Sequence, residues 1–298
     1  MSQLPAVFID GVIYASWVFL VAVGLTLIYG VMKILNIAHG SLYAIGAYAA
    51  ASLTGAWLAH GYPVIGSYVV LVVAAIIAGV VTGPLIERGV LRFMYGRDEV
   101  VQLLATYAVF LIFEDAVKLI WGTNSYFIAA PYAFFGTVGS GDLVYPVYDL
   151  LLVVVAAVIA FGLTGVLQHT RSGKLLRVVI HDREVSSAMG INVSRFYLVT
   201  FTVGAILAAL GGALTAPMQS VHAGMGVEVI VLAFAVVVIG GLGSLPGALV
   251  GALIVGFVHS AATHYFPQTE LFSIYLAMTL VLLFRPQGLF VGVKVRKI

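Results

Sequence analysis

Three runs of this chain contain no Asp, Glu, Lys or Arg: Gly11–Met32, Ile34–Ile86 and Val229–Thr269. A helix needs about 20 apolar residues to cross the hydrocarbon core of a bilayer. The first run is therefore long enough for one crossing, and the other two for two each. Charged residues occupy only 9% of the 298 positions and hydrophobic ones 62%. A soluble domain carries about 25% charged residues, and so little polar material cannot cover a water-facing surface. A soluble enzyme, a disordered chain and a nucleic-acid binder are excluded at this step. Within lipid each segment must satisfy its own backbone hydrogen bonds, which makes helices the expected element.

The second run breaks naturally at His60–Pro63 and the third at Gly240–Gly247. Further apolar segments cover about 101–121, 150–168, 196–217 and 271–284. The expected fold is an all-α polytopic transmembrane bundle of eight or nine spans, with two glycine-broken segments, in one domain over residues 1–298. The N-terminal stretch MSQLPAVFID has no positive region ahead of its apolar run, so the first segment is expected to be a retained span. Basic residues cluster at Arg88, Arg92 and Arg97, at Arg171, Lys174, Arg177, Arg183 and Arg195, and at Arg285, Lys294, Arg296 and Lys297. The connections between these clusters, His60–Pro63, Gly122–Tyr148 and Met218–Val227, hold no Lys or Arg. The positive-inside rule then puts the basic loops and the C-terminus in the cytoplasm. Nine spans with an outside N-terminus satisfy that alternation.

The two interruptions read Asn36-Ile-Ala-His-Gly-Ser-Leu42 and Gly240-Gly-Leu-Gly-Ser-Leu-Pro-Gly247. Each contains Gly-Ser-Leu ahead of a helix rich in small residues. Glycine breaks at corresponding places point to a transport site, because unwound backbone at membrane depth is tolerated only beside protein or a water-filled path. Asn36, His39, Gly40, Gly241, Gly243 and Ser244 are the candidate lining of that path. Spacing alone is equally compatible with ordinary tight connections between helices. An amide and a neutral imidazole at Asn36 and His39 could contact a zwitterionic solute or satisfy broken-helix backbone.

Other polar groups have plainer readings. Glu114, Asp115 and Lys118 share a helix face at spacings of three and four and can neutralise one another, or could contact a substrate or another subunit. His222 and Glu228 lie near an expected loop. His259 and His264 are five apart and do not share a helix face, so no metal site is expected. Trp17, Trp57 and Trp121 read as interfacial or packing aromatics. Cysteine is absent, and with it any thiolate site. No catalytic constellation is recognisable. The nearest approach to a nucleotide-binding loop, Ser172-Gly-Lys-Leu175, lacks the upstream glycine and the hydroxyl residue that such a loop needs. The chain is therefore expected to carry no cofactor.

The most polar stretch is His169–Arg195. Within it Arg183–Met189 reads as a short amphipathic helix closed by Gly190, a segment suited to docking against a partner. The strings His169–Arg177 (HTRSGKLLR), Asp182–Glu184 and Met189–Asn192 resemble the permease subunits of branched-chain amino-acid ABC importers, the H-type permeases above all. So do Gly24–Gly30 (GLTLIYG), Asn36–Gly40, Gly240–Gly247 and Arg285–Phe290. In importers of this type a Glu-Ala-Ala-x-x-x-Gly loop docks into the ATPase. Glu184 and Gly190 keep that spacing, while Val185 and Ser186 replace the two alanines. The resemblance implies that residues 169–195 form the coupling loop, with Arg183, Glu184, Ala188 and Gly190 at the contact. It further implies a second, M-type permease, two ATP-binding cassette subunits that hold ATP and Mg, an extracytoplasmic solute-binding protein, and a bacterial inner-membrane location. Related permeases serve urea, short amides and aromatic acids, and a passive channel or a structural scaffold would have the same composition.

Overall fold

The computed structural model describes residues 3–141 and 143–290. It is a bundle of α-helices: α1 (Gln3–Met32), α2 (His39–Ala59), α3 (Val64–Gly89), α4 (Glu99–Trp121), α5 (Ala129–Ala133), α6 (Val147–His169), α7 (Arg171–His181), α8 (Arg183–Ala188), α9 (Val193–Thr215), α10 (Met225–Gly240), α11 (Leu245–Tyr265) and α12 (Glu270–Phe284). Eight spans are long and apolar enough to cross a membrane: α1, α2, α3, α4, α6, α9, α11, and α12 taken with the turn Pro267–Thr269 ahead of it. A two-stranded antiparallel hairpin, β1 (Thr137–Ser140) with β2 (Leu143–Pro146), lies in the connection between α4 and α6.

α10 is the short apolar helix. Its 16 residues rise about 24 Å, less than the roughly 30 Å of a hydrocarbon core. The end of any helix leaves carbonyl groups in need of donors. The chain supplies them from far along the sequence. The backbone N–H of Leu289 donates to the Ile239 carbonyl at 3.0 Å, and that of Phe290 to the Gly240 carbonyl at 2.9 Å. Gly241 and Gly288, both at positive φ, let the two backbones meet there. Of the C-terminal basic cluster only Arg285 is described; Lys294, Arg296 and Lys297 lie outside the described residues.

The interior is built from helices α1 and α9. α9 packs along α1, α2 and α3, and α11 runs along α1. Small residues govern these approaches, as expected where lipid provides no hydrophobic drive and close van der Waals contact must hold helices together. A side chain at Gly46 would overlap the backbone of Ala209, and one at Gly212 the backbone of Tyr43. Around this core the outer faces of α3, α4, α6 and α12 present bare apolar side chains, Leu119 at 86% and Phe284 at 77% exposure among them. That surface suits hydrocarbon as its solvent and would aggregate in water.

The basic connections meet at one end of the bundle. The Arg183 guanidinium lies against Tyr95, which ties the α3–α4 connection to the loop between α6 and α9. The opposite end holds the α2–α3 turn, the hairpin and the α9–α10 connection, where Tyr126 and Val221 exchange backbone hydrogen bonds at 2.9 Å.

Gly46→Val should cost about 1–3 kcal/mol through overpacking against Ala209. Gly55 has open space around its α-carbon, so Gly55→Ala should be neutral or stabilising by up to about 1 kcal/mol. Thermal unfolding of the two purified variants in detergent checks both.

Candidate functional site

Both interruptions are anchored on α1, and glycines of the string Gly24–Gly30 make each contact possible. α1 ends at Met32, and residues 33–38 leave helical geometry, with Lys33 at φ 57°. The segment then runs back beside α1. Its last turn brings the His39 Nε2 to 2.9 Å from the carbonyl of Val21, which lies eleven residues before the end of α1. A carbonyl can only accept, so Nε2 carries the proton and Nδ1 is left as a bare acceptor, without a partner among the described residues. A Cβ at Gly24 would stand 2.9 Å from the His39 ring, so only glycine leaves room for the imidazole.

Neighbouring helices cover the unwound backbone. The Thr106 hydroxyl of α4 donates to the Leu35 carbonyl at 3.1 Å and receives the Ile37 N–H at 3.3 Å. The Ser41 hydroxyl donates to the Phe110 carbonyl at 3.3 Å. Gly40 packs directly on Gly226 at the start of α10. Asn36 is fully buried, and neither its amide N–H₂ nor its carbonyl has a partner among the described residues. An unpaired buried amide costs on the order of 1–3 kcal/mol, so this residue stands in the interior at the expense of stability.

The second interruption is shorter than the glycine string that marks it. Only Gly241–Ser244 is non-helical, and Leu245, Pro246 and Gly247 already form the first turn of α11. Ser244 caps that turn, its hydroxyl accepting the Gly247 N–H at 3.1 Å. Gly243 sits on Gly30 of α1, where a Cβ on Gly243 would come 2.7 Å from the Gly30 α-carbon. The two Gly-Ser-Leu strings thus serve different ends: Ser41 bonds a neighbouring helix, and Ser244 caps its own. Of the six candidate path residues, Gly243 and Ser244 line a cavity of about 340 Å³ at the basic end of the bundle. Asn36, His39 and Gly40 are enclosed within the chain, and Gly241 is covered by the Phe290 backbone.

The polar loop resolves into two helices, of which the sequence indicated only the second. α7 turns straight back from α6, with the Thr170 hydroxyl accepting the Gly173 N–H at 3.0 Å. It buries Leu176 and Val179 and exposes Arg171 and Lys174. α8 starts at the Asp182 carboxylate, which accepts the Val185 N–H at 2.9 Å. It ends where Gly190, at φ 80°, allows Gly190 N–H to reach the Ser187 carbonyl and Ile191 N–H the Ser186 carbonyl. This is the six-to-one and five-to-two pattern of a glycine-terminated helix. Ser186 is buried, whereas Glu184, Val185, Ala188 and Met189 are exposed.

Arg183 roots α8 in the bundle. Its guanidinium lies 5.9 Å from the centre of the Tyr95 ring and 5.7 Å from that of Tyr197. The two rings meet edge to face at 5.0 Å. Tyr95 donates its hydroxyl to the buried Glu87 carboxylate at 2.5 Å. Burial, reinforced by that hydrogen bond, holds the Tyr95 phenol well above its ordinary pKa, so it remains a donor at neutral pH. α8 is thereby joined to the end of α3, the approach to α4 and the first turns of α9.

The remaining polar groups find local partners. Lys118 Nζ lies 3.4 Å from Asp115 and 3.9 Å from Glu114. His259 and His264 each face a carboxylate that sequence spacing did not reveal, Glu270 at 2.7 Å and Asp10 at 2.6 Å. His222 bonds the adjoining Ala223 carbonyl, and Glu228 is exposed. Trp57 and Trp121 donate to the Pro63 carbonyl and the Ser52 hydroxyl, and Trp17 packs edge to face with Tyr14.

The sequence model of a family described as the permease component of the branched-chain amino acid transport system matches residues 7–284. The high-affinity branched-chain amino acid transport system permease protein BraD of Pseudomonas aeruginosa is 29% identical over 299 residues, 97% of this chain and 96% of the relative. The corresponding permease protein LivH of Escherichia coli K12 is 29% identical over 301 residues, with the same coverage. The ribose import permease protein RbsC of E. coli K12 is 27% identical over 253 residues, 81% of this chain and 73% of the relative.

Asn36→Leu removes the unpaired amide at similar volume. It should leave the fold intact and raise stability by about 1–3 kcal/mol, read as a higher unfolding midpoint. Tyr95→Phe strips the buried Glu87 of its donor and should cost about 1.5–3 kcal/mol, read in the same assay.

Proposed function

The chain belongs to the family of branched-chain amino acid transport system permease components, and from that premise we propose that it is the H-type permease subunit of an ATP-driven importer for branched-chain amino acids. It is a multi-pass membrane protein and a non-enzymatic transport component. Its companions in this reading are an M-type permease, two ATP-binding cassette subunits and an extracytoplasmic solute-binding protein. The basic loops and the C-terminus face the cytoplasm of a bacterial inner membrane, in line with the clustering of Lys and Arg.

The observation that carries the coupling assignment is the construction of α8. Its outward face offers apolar Val185, at 50% exposure, and Met189, at 69%, beside Glu184. Its root is fixed by Arg183 between two tyrosines. A patch free on one side and clamped on the other transmits displacement. When ATP draws the cassette subunits together, Glu184, Ala188 and the turn at Gly190 follow them. Arg183 passes the motion to Tyr197 of α9 and, through Tyr95 and Glu87, to α3. Since α9 packs along α1, α2 and α3, a shift of α9 bears on both interruptions. Asn36, His39 and Gly40 would then leave their enclosed setting and join Gly241, Gly243 and Ser244 on the solute path. The unpaired amide of Asn36 and bare Nδ1 of His39 support this assignment, because a polar group that lacks partners in one state is free to find them in another.

Likeness to a ribose import permease as well as to amino-acid permeases fits a path of low selectivity, in which the binding protein chooses the solute. Calorimetry on the companion binding protein should register a branched-chain amino acid and not urea, a short amide or an aromatic acid. Gly190→Val strains the positive-φ turn after α8, by on the order of 1–2 kcal/mol. In proteoliposomes holding the whole importer, this variant should assemble normally and hydrolyse ATP while uptake falls at least about ten-fold. Uptake at the wild-type rate would refute the coupling role.

A further inference from the structure

Two cavities lie between α1, α6 and α11, and they differ in character. One, about 140 Å³, is lined by groups such as Phe19, Ala157, Phe161 and Leu253, with Ser16 the sole polar residue among those lining it. Roughly 15 Å further along α6, about ten residues at 1.5 Å each, the same three helices frame the 340 Å³ cavity at the basic end, where α7 closes over it. There the lining contains two cations, Lys33 and Arg177, and no Asp or Glu. Among the described residues neither cation has a carboxylate within ion-pair distance: Lys33 lies over the Tyr29 ring at 5.5 Å, and Arg177 donates to the Gln168 carbonyl at 3.2 Å.

We propose that these two cavities together bind one anionic phospholipid, its phosphate held between Lys33 and Arg177 and an acyl chain laid between α1, α6 and α11 toward the apolar cavity. Three observations favour that occupant. The cations lie at the end of the bundle where headgroups lie, and basic pockets between helices on that side suit anionic headgroups. The apolar cavity lies further along the same three helices, on the side toward which a chain would run from a headgroup held at the basic cavity. That arrangement does not match a solute carboxylate or free phosphate, which would need only the basic end. α6 is only lightly buried by the rest of the chain, so the site opens toward surrounding lipid. The leaflet rests on the orientation proposed above, whereas the site does not.

Occupancy would have a mechanical effect. Lys33 begins the first unwound segment, Arg177 belongs to the helix that leads into α8, and Ser244 of the second break shares the cavity wall. A bridging phosphate would tie the lever to both interruptions.

The test uses the assembled importer in nanodiscs of equimolar phosphatidylglycerol and phosphatidylcholine, with lipids retained by the purified complex identified by native mass spectrometry. The wild type should retain phosphatidylglycerol over phosphatidylcholine by about ten-fold, in keeping with two cations near a headgroup. The double variant Lys33→Gln, Arg177→Gln should lose that preference yet still retain lipid. Ala157→Phe, which fills the apolar cavity and keeps both charges, should lower retention of the lipid at this site. Glycerol 3-phosphate, a headgroup without chains, should not displace it. Equal retention of the two lipids by the wild type, an unchanged preference in the double variant, or displacement by glycerol 3-phosphate would each overturn the site. Because the readout is bound lipid and not uptake, failure here is distinguishable from failure of the coupling assignment. A site filled instead by the second permease would show as no retained lipid in the full complex, which also overturns the proposal.

Discussion

Backbone without side chains is what lets two unwound segments exist inside this bundle. In hydrocarbon an open N–H or C=O has no water to turn to, so irregular chain must be pressed against other protein. α1 carries a glycine for each segment: Gly24 admits the His39 imidazole, and Gly30 admits Gly243. A methyl group at either place would push its interruption away from the helix that shields it. The Gly40–Gly226 contact then draws α2 onto α10, and Gly240 with Gly247 draws α10 onto α11. Remove these approaches and the polar backbone of both breaks is exposed to lipid.

The lever follows a different logic. α8 has only six residues, too few to be stable alone in water. It holds its shape through end contacts: the Asp182 carboxylate at one terminus, the turn at Gly190 at the other, and a cation held against two aromatic faces. A cation over a ring is attracted to its negative face, by about 0.5–1 kcal/mol at exposed sites, and Arg183 has two such rings. The contact is broad and tolerant of small rotations, as the proposed coupling role would require.

Much of this was readable from residues. Charge-free runs located most spans to within a few positions, but α1 begins at Gln3, eight residues before the run that marked it, and α3 runs on through Pro84, Glu87 and Arg88. The Arg183–Ala188 helix and the glycine after it were also legible, because caps act locally. What escaped depended on distance in sequence. α7 was hidden because it begins one residue after α6, with only Thr170 between them. The tyrosine seat of Arg183 joins residues 95 and 197, and the carboxylate facing His264 is 254 positions away. The first break begins at Lys33, ahead of the Asn36–Leu42 string that marked it, since nothing in the local sequence says that the chain doubles back on α1. Spacing could not separate a path lining from a tight connection, and in this conformation the enclosed setting of Asn36, His39 and Gly40 reflects that ambiguity.

The pairing of Leu289 and Phe290 with the end of α10 bears on the order of assembly. Those donors are translated about fifty residues after the carbonyls they serve. α10 therefore enters the membrane with a raw end, and the second interruption takes its final form only after α11 and α12 have been threaded. The closing of that seam is a late event in biogenesis, one that a ribosome stalled before residue 288 never reaches.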